Sequence, residues 1–165
     1  PKAVGDLVYL LGQTKDELGA SEFYDMLGHL GNNVPEVDAH NNLRLYKLYG
    51  RAVREHLIAS AIAPSYGGLG TALAKMAIAG QMGLDIDLSS IELADHTKLY
   101  SESTGRIIVT VAPQNKEKFE KTLKDFEHVI QIGHVAYGNK LNIKNILQAD
   151  VDKLEEAYKA PLRSY

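Results

Sequence analysis

One glycine-rich segment, Ser65-Tyr66-Gly67-Gly68-Leu69-Gly70, has the residue types and spacing of a binding loop. Glycines let the backbone approach a ligand closely, and the helix predicted to follow would offer unpaired N–H groups and a positive dipole end to an anion. The segment lacks the Gly-Lys-Ser/Thr ending of a Walker loop and the spacing of a dinucleotide fingerprint. Two interpretations stay open: an anion site at Ser65, Gly67 and Gly68, or a tight turn that needs glycine for steric reasons.

A second polar segment, residues 100–106, directly precedes the most apolar predicted strand. Arg106 stands close to Glu102 in this segment, so a plain ion pair at the strand entrance is one interpretation. The forked donors of a guanidinium equally suit a carboxylate or a phosphate of a ligand. Arg106 is therefore a second candidate for contact with an anion.

The other reactive side chains form no catalytic or metal-binding pattern. The chain has no cysteine, which excludes disulfides, thiolate catalysis and cysteine-bound zinc. Six histidines are present, and none of their spacings is typical of metal ligands: His29, His40, His56, His96, His128 and His134. We therefore assign no catalytic residue and no metal ligand.

Composition is typical of one globular domain covering residues 1–165, with 45% hydrophobic and 24% charged residues. A net charge of −3 creates no field that attracts nucleic acid. The longest mainly apolar run, residues 58–63, is far shorter than the roughly 20 residues of a membrane helix. We expect a cytoplasmic protein without membrane contact. Because the chain starts with Pro1 rather than Met, we also expect a processed or excised piece.

Apolar periodicity predicts the elements that must position these residues. Strands are predicted at five places: 4–11, 84–88, 107–111, 128–135 and 141–143. Helices are predicted at four: 43–57, 69–80 with Gly80 as a left-handed cap, a segment carrying Phe119, Leu123 and Phe126, and a segment capped by Asp150. Residues 13–42 form a long polar stretch, and a loop of this length in a compact domain usually has a function or forms part of an interface. Interleaved elements without strict βαβ repetition predict an α+β domain with a mixed or antiparallel sheet.

The strand at 107–111, Ile-Ile-Val-Thr-Val, is apolar on both alternating faces. Helices of the same chain can cover one face, and the other face needs either the remaining helices or a partner domain. Large exposed apolar patches are rare on monomers, so the pattern predicts a homodimer through the sheet.

Three segments of the chain form a distinctive combination. The first is Val4-Gly5-Asp6-Leu7-Val8-Tyr9-Leu10-Leu11-Gly12 followed by residues 16–24, which end in Phe23-Tyr24. The second is Val34-Pro35-Glu36-Val37-Asp38, which leads into the helix ending at Val53-Arg54-Glu55. The third is residues 99–106 with Val109-Thr110-Val111-Ala112-Pro113 after them. In their order and spacing, which hold across the whole chain, these segments resemble the C-terminal domain of the large catalytic subunit of phosphoribosylformylglycinamidine synthases.

The resemblance implies the wider aminoimidazole ribonucleotide synthetase-related superfamily and its three-layer α/β/α, partly ferredoxin-like domain. It implies a C-terminal fragment of a multidomain, ATP- and magnesium-dependent amidoligase of purine biosynthesis. The implied partners are the other domains of the same chain, a glutaminase and small accessory subunits. The alternatives are a non-catalytic scaffold or interaction domain of the same descent and another ATP-using enzyme of the superfamily.

One departure from the family pattern argues against chemistry in this domain. Where the family has His-Asp-x-Ser-Asp-Gly-Gly-Leu, this chain keeps Ser65 and both glycines but carries Ile62, Ala63 and Tyr66 at the His and Asp positions. Without those carboxylates a magnesium–phosphate cluster loses its hard oxygen ligands. We therefore expect a degenerate nucleotide site and a domain that is inactive alone.

Overall fold

A computed structural model describes residues 1–162 of the chain. Their seven strands are β1 (Leu7–Leu11), β2 (Ser60–Ile62), β3 (Gly83–Ile86), β4 (Ile107–Val111), β5 (Val129–Ala136), β6 (Lys140–Ile143) and β7 (Leu147–Asp150). Their six α-helices are α1 (Glu22–Met26), α2 (Ala39–Arg54), α3 (Gly68–Gly80), α4 (Asp95–Tyr100), α5 (Lys116–Leu123) and α6 (Val151–Lys159). Two 3₁₀ turns, Pro113–Asn115 and Ala160–Leu162, complete the order.

The strands form one mixed sheet in the order β2-β4-β1-β5-β3-β6-β7. All neighbouring pairs are antiparallel except β3 and β6, which run parallel. The central strand β1 shows why the sheet is buried on both sides there. Val8 and Leu10 enter one core with α3, α4 and α6, whereas Tyr9 and Leu11 enter a second core with α2 and α5. Helices thus cover both faces, which confirms the predicted three-layer α+β fold.

The expectation that one face of β4 needs an outside partner is wrong. All five residues of β4 are buried within this chain. Ile108 packs into the core beneath α3, and Ile107, Val109 and Val111 pack beneath α2 and α5. An all-apolar strand is the pattern of a sheet with helices on both sides, and here the chain supplies both layers itself.

The sheet has one open region, on the second face of β5, β3, β6 and β7. A row of polar side chains crosses it because the strand register aligns His134 with Asp85, Asp85 with Asn142, and Asn142 with Gln148. The amide of Asn142 donates to Asp85 at 3.1 Å, and the imidazole Nε2 of His134 lies 3.7 Å from the same carboxylate. The polarity of this row explains why the region is stable without a covering helix.

The start of α2 and the cap of α3 differ from the prediction. Helix α2 begins at Ala39, four residues early, because Asp38 accepts a hydrogen bond from the amide of Asn41 at 2.9 Å and so caps the helix. Helix α3 ends at Gly80 as predicted, but the left-handed residue is Gln81, with φ of 50° and ψ of 44°. Asp150 precedes α6 as predicted, although its side chain makes no capping hydrogen bond.

Candidate functional site

The predicted anion loop is a tight turn between β2 and α3. Gly67 (φ +77°) and Gly68 (φ +64°) both have left-handed backbone conformations, which disfavour any residue with a Cβ. A Cβ on Gly68 would lie 2.6 Å from the carbonyl oxygens of Leu99 and Ser101. The backbone of Gly68 is therefore packed against the end of α4 and faces the protein interior.

The amide of Gly67 already has an anionic partner. It donates to carboxylate atom Oε1 of Glu102 at 2.8 Å, and the amide of Glu22 donates to the same oxygen at 3.0 Å. Glu22 is the first residue of α1, and Gly67 directly precedes α3. The structure thus brings a glutamate of the second polar segment onto the glycine turn of the first. Sequence reasoning considered Glu102 only as a partner for Arg106.

Ser65 is the one predicted site residue that is exposed. It lines a small cavity of about 160 Å³ together with Tyr66 and Lys75. Within residues 1–162, Lys75 forms no ion pair, so its ammonium group is available to a ligand anion. Lys75 lies two turns into α3, outside the glycine-rich segment of residues 65–70. That segment alone therefore gave no sign of it, although helix geometry can place such a residue near the start of the helix.

Arg106 is buried, with 2% of its surface exposed, and its donors are used inside the protein. Its Nε donates to the carbonyl of Ser103 (2.9 Å), while its two terminal nitrogens donate to the hydroxyl of Thr14 (3.0 Å) and the carbonyl of Ser101 (2.6 Å). Burial lowers the pKa of Arg106 to about 10, against the opposing effect of the nearby Glu17 and Glu102 charges. The guanidinium therefore braces the backbone of the second polar segment and does not point at the glycine turn.

The second polar segment fastens the long 13–42 stretch to the sheet. The hydroxyl of Ser101 donates to the carbonyl of Lys15 at 2.7 Å, and the amide of Lys15 donates to the hydroxyl of Ser103 at 3.0 Å. Thr104 continues the series by donating to the carbonyl of Glu36 at 2.8 Å. With the bond from the amide of Glu22 to Glu102, all four polar residues 101–104 have a hydrogen-bond partner in the first third of the chain. These bonds explain why the segment before β4 is so polar.

The site does not fit magnesium or a complete nucleotide. Among residues 1–162, no group of three or more His, Asp or Glu side chains is placed to hold a metal ion. Ile62 and Ala63 offer no oxygen ligand, and Tyr66 is 73% exposed at the turn. The cavity beside Ser65, at about 160 Å³, is small against the 300 Å³ or more of typical ligand pockets.

A second notable surface lies on the long stretch, and we call it the 23–46 surface. Its exposed apolar side chains are Met26, Leu27, Leu30, Val34, Val37, Leu43 and Tyr46. An open cavity of about 620 Å³ on this surface is lined by Phe23, Tyr24, Leu27, His29, Leu30, Gly31 and His96. Met26 and Leu30 are 74% and 75% exposed, an arrangement typical of surfaces that pack against another protein or domain.

Two further cavities lie at the C-terminal end of β1, beside Gly12. One, of about 290 Å³, is lined by residues that include Lys15, Arg44 and His128, and a neighbouring one of about 330 Å³ shares Gln13 and His128 with it. The first cavity mixes cationic and acidic side chains, so its charge selects for neither a cation nor an anion.

A mixed sheet between two helical layers, with a glycine turn at the start of a helix, makes this a three-layer α/β/α domain. The chain belongs to the family described as AIR synthase related protein, C-terminal domain, whose model matches residues 3–144. This assignment confirms the resemblance found in the sequence. No helix within residues 1–162 is long and apolar enough to span a membrane.

Known proteins agree with this membership. The phosphoribosylformylglycinamidine synthase subunit PurL of Methanocaldococcus jannaschii is 34% identical over 158 residues, which are 93% of this chain and 22% of that protein. The structure of Thermotoga maritima PurL complexed with FGAR matches with a TM-score of 0.76 at 20% identity, covering 93% of this chain and 28% of that one. Escherichia coli HypE, a hydrogenase maturation protein, matches with a TM-score of 0.66 at 15% identity, covering 90% and 49%. The chain therefore spans about a fifth of the curated relative's length.

Proposed function

We propose that this chain works as one domain of a phosphoribosylformylglycinamidine synthase in purine biosynthesis. The observation that carries the proposal is the 34% identity with the archaeal PurL subunit over 93% of the chain. The reaction would convert formylglycinamide ribonucleotide and ammonia into the amidine at the expense of ATP. Because the chain corresponds to 22% of that relative, the rest of a longer protein must supply the reactive groups.

In the proposed reaction, ATP phosphorylates the amide oxygen of the substrate and leaves as ADP. Ammonia then adds to the activated carbon, and the phosphate departs with the former amide oxygen. Magnesium would neutralise the transferred phosphoryl charge, held by residues outside this domain. We propose glutamine as the source of ammonia, released by a glutaminase that joins the synthase together with small accessory subunits. The absence of cysteine from this chain agrees with a glutaminase located elsewhere.

We assign this domain a packing role, with no turnover of its own. Two features support this. Ile62 stands at the position of the family's His, and Ala63 and Tyr66 stand at the positions of its two Asp residues. The carboxylate of Glu102 also occupies the amide of the glycine turn. Any remaining affinity for phosphate would lie at Ser65, Gly67 and Gly68. The buried Arg106 would contribute only through its charge.

The partner we propose for the 23–46 surface is another domain of the same synthase chain. Its exposed apolar side chains lie on one continuous stretch, and burying them against a neighbour would remove a large hydrophobic area from water. A homodimer stays a prediction, and it would use this surface instead of β4. We place the synthase in the cytoplasm, where purine precursors are made.

The test is an assay of the longer chain that carries these residues, supplied with ATP, formylglycinamide ribonucleotide and ammonium ions. Mass spectrometry should detect the amidine product, in which one oxygen is replaced by N–H, with one ADP formed per product. Omitting the ribonucleotide should stop ADP formation. ADP release that is independent of the ribonucleotide would instead favour another ATP-using enzyme of the superfamily.

A scaffold function is the second candidate, and the occupied glycine turn favours it. In that case the longer chain would form no amidine, yet variants in the 23–46 surface would still disrupt its assembly. The two functions therefore differ in whether product appears.

A further inference from the structure

The more polar of the two cavities beside Gly12 has a volume of about 290 Å³, and hydrogen bonds tie its walls to one another. The hydroxyl of Thr104 donates to the carbonyl of Glu36 at 2.8 Å, which joins the segment before β4 to the long stretch. On the other side, a terminal nitrogen of Arg44 donates to the carbonyl of Asp125 at 2.9 Å, which joins α2 to the segment before β5. We call this space the β1-end cavity, and its walls are positioned by contacts within the chain.

The charges on the lining of the β1-end cavity oppose one another. Lys15 and Arg44 are cationic, whereas Glu36, Asp38 and Glu127 are acidic. A small ion of either sign would therefore meet like charges as well as opposite ones. The lining favours a ligand that is polar but neutral overall.

Three carboxamide side chains of the lining have no protein partner. Within residues 1–162, the side chains of Gln13, Asn41 and Asn42 form no hydrogen bond. Gly105 (φ +73°) makes room for one of them, because a Cβ at this position would collide with the side-chain oxygen of Asn42. A carboxamide both donates and accepts hydrogen bonds, and so does a hydroxyl group. Neighbouring hydroxyls of one ligand would therefore match these three side chains.

We propose that the β1-end cavity binds a neutral ring that carries neighbouring hydroxyl groups, as a sugar or a cyclitol does. The carboxamides would hydrogen-bond to the hydroxyls, and Phe126 adds an apolar group to the lining for the C–H side of the ring. The volume of about 290 Å³ is close to the roughly 300 Å³ at which typical ligand pockets begin, which suits a single ring. The proposed synthase activity neither requires nor excludes this ligand.

The test is a separate titration of the 165-residue chain with D-ribose, D-glucose and myo-inositol, followed by amide chemical shifts. At least one compound should give saturable shifts at Gln13, Asn42 and Gly105, and the comparison distinguishes a sugar from a cyclitol. Asn41→Ala should weaken this binding about 2- to 10-fold, because one hydrogen-bonding carboxamide is lost. Asn32→Ala is the matched control, since it removes an exposed asparagine outside the cavity and should bind like the wild type.

The side chain of Asn41 forms no hydrogen bond within residues 1–162, so Asn41→Ala should melt like the wild type in circular dichroism. Failure of all three compounds to shift the cavity amides would overturn the inference. Equal binding by the wild type and Asn41→Ala would also overturn it, because the carboxamide would then have no part in recognition. The longer chain should bind the same compound, and loss of binding there would overturn the inference by showing that another domain fills the cavity. Amidine formation is assayed separately, so these results leave the proposed function untouched.

Discussion

Arg106 and Glu102 show how two oppositely charged residues, four positions apart in sequence, take separate roles. The guanidinium is buried and donates to Ser101, Ser103 and Thr14, whereas the carboxylate reaches outward to the turn before α3. A buried cation is tolerable here because each donor group has an acceptor. Neither an Arg106–Glu102 ion pair nor a ligand-facing guanidinium is needed to explain why both residues occur before β4.

Replacing Arg106 with methionine should destabilise the chain. The change leaves the carbonyls of Ser101 and Ser103 without their buried donor, at a cost of about 2–4 kcal/mol in the free energy of unfolding. Urea unfolding followed by circular dichroism measures this. Arg54→Met, on the exposed end of α2, is the matched control and should change stability by less than about 0.5 kcal/mol. Equal losses in the two variants would show that Arg106 has no special bracing role.

Tyr9 supports a pH prediction. Its hydroxyl donates to Glu120 at 2.8 Å, and burial, followed by this hydrogen bond, raises the pKa of Tyr9 above its usual value of 10.0. The unfolded chain releases the phenolic proton first, so the bond stabilises the fold below pH 10 and this contribution is lost as the pH rises beyond it. Tyr9→Phe should therefore cost about 1 kcal/mol near pH 8 and less near pH 11.

Urea titrations of both proteins at each pH give the required difference in the free energy of unfolding. Tyr137→Phe is the control, because Tyr137 is 93% exposed and should show no pH-dependent difference. A Tyr9→Phe penalty that stays constant from about pH 8 to about pH 11 would contradict the raised pKa.

At the scale of the elements, hydrophobic pattern identified the strands and helices that form the cores. Residues 107–111 form a short, continuous apolar run, which identified the buried strand β4. Residues 69–80 carry apolar side chains at helical spacing, which identified α3. Helices α1 and α4, of five and six residues, were missed because such short helices depend on tertiary contacts more than on their own sequence. One such contact is the stack of Phe23 on Tyr100, with ring centroids 4.6 Å apart.

The candidate site was predictable only in part, for the same reason. The glycine turn and the polar segment before β4 were both recognisable from local composition. Their junction was not, because the Glu102–Gly67 and Glu102–Glu22 bonds span 35 and 80 residues and exist only after α3, α4 and α1 have packed together. The covering of both faces of β4 depends on the whole sheet order in the same way.

The 23–46 surface yields a prediction about how elements associate. If it packs against another domain, the isolated 165-residue chain should bury it by self-association at micromolar concentration. Leu30→Lys should give a monomer near 18.1 kDa in sedimentation equilibrium, because a lysine at a position that is 75% exposed opposes apolar contact without disturbing the core. Tyr137→Lys, at the exposed hairpin between β5 and β6, should leave the association unchanged. A monomeric wild type would contradict this prediction.

At the scale of the molecule, residues 1–162 form a three-layer fold whose sheet is covered on both faces at β1 and β4, and they also expose the apolar side chains of the 23–46 surface. Its cores are built from its own residues, and among residues 1–162 no group of three or more His, Asp or Glu side chains is placed to hold a metal ion. Such a domain can support an active site formed elsewhere in a longer protein without contributing reactive groups. In the proposed synthase its role would depend on packing, so we expect the 23–46 surface to matter more than the turn.

The most direct test of this account compares ATP turnover by the 165-residue chain and by the longer chain that contains it. Both would be assayed at equal molar concentration with formylglycinamide ribonucleotide and ammonium ions, with ADP and the amidine measured together. We predict product from the longer chain and none above the enzyme-free blank from the 165-residue chain. Turnover by the 165-residue chain alone, after exclusion of contaminating enzymes, would contradict the account, and so would a longer chain that forms no amidine.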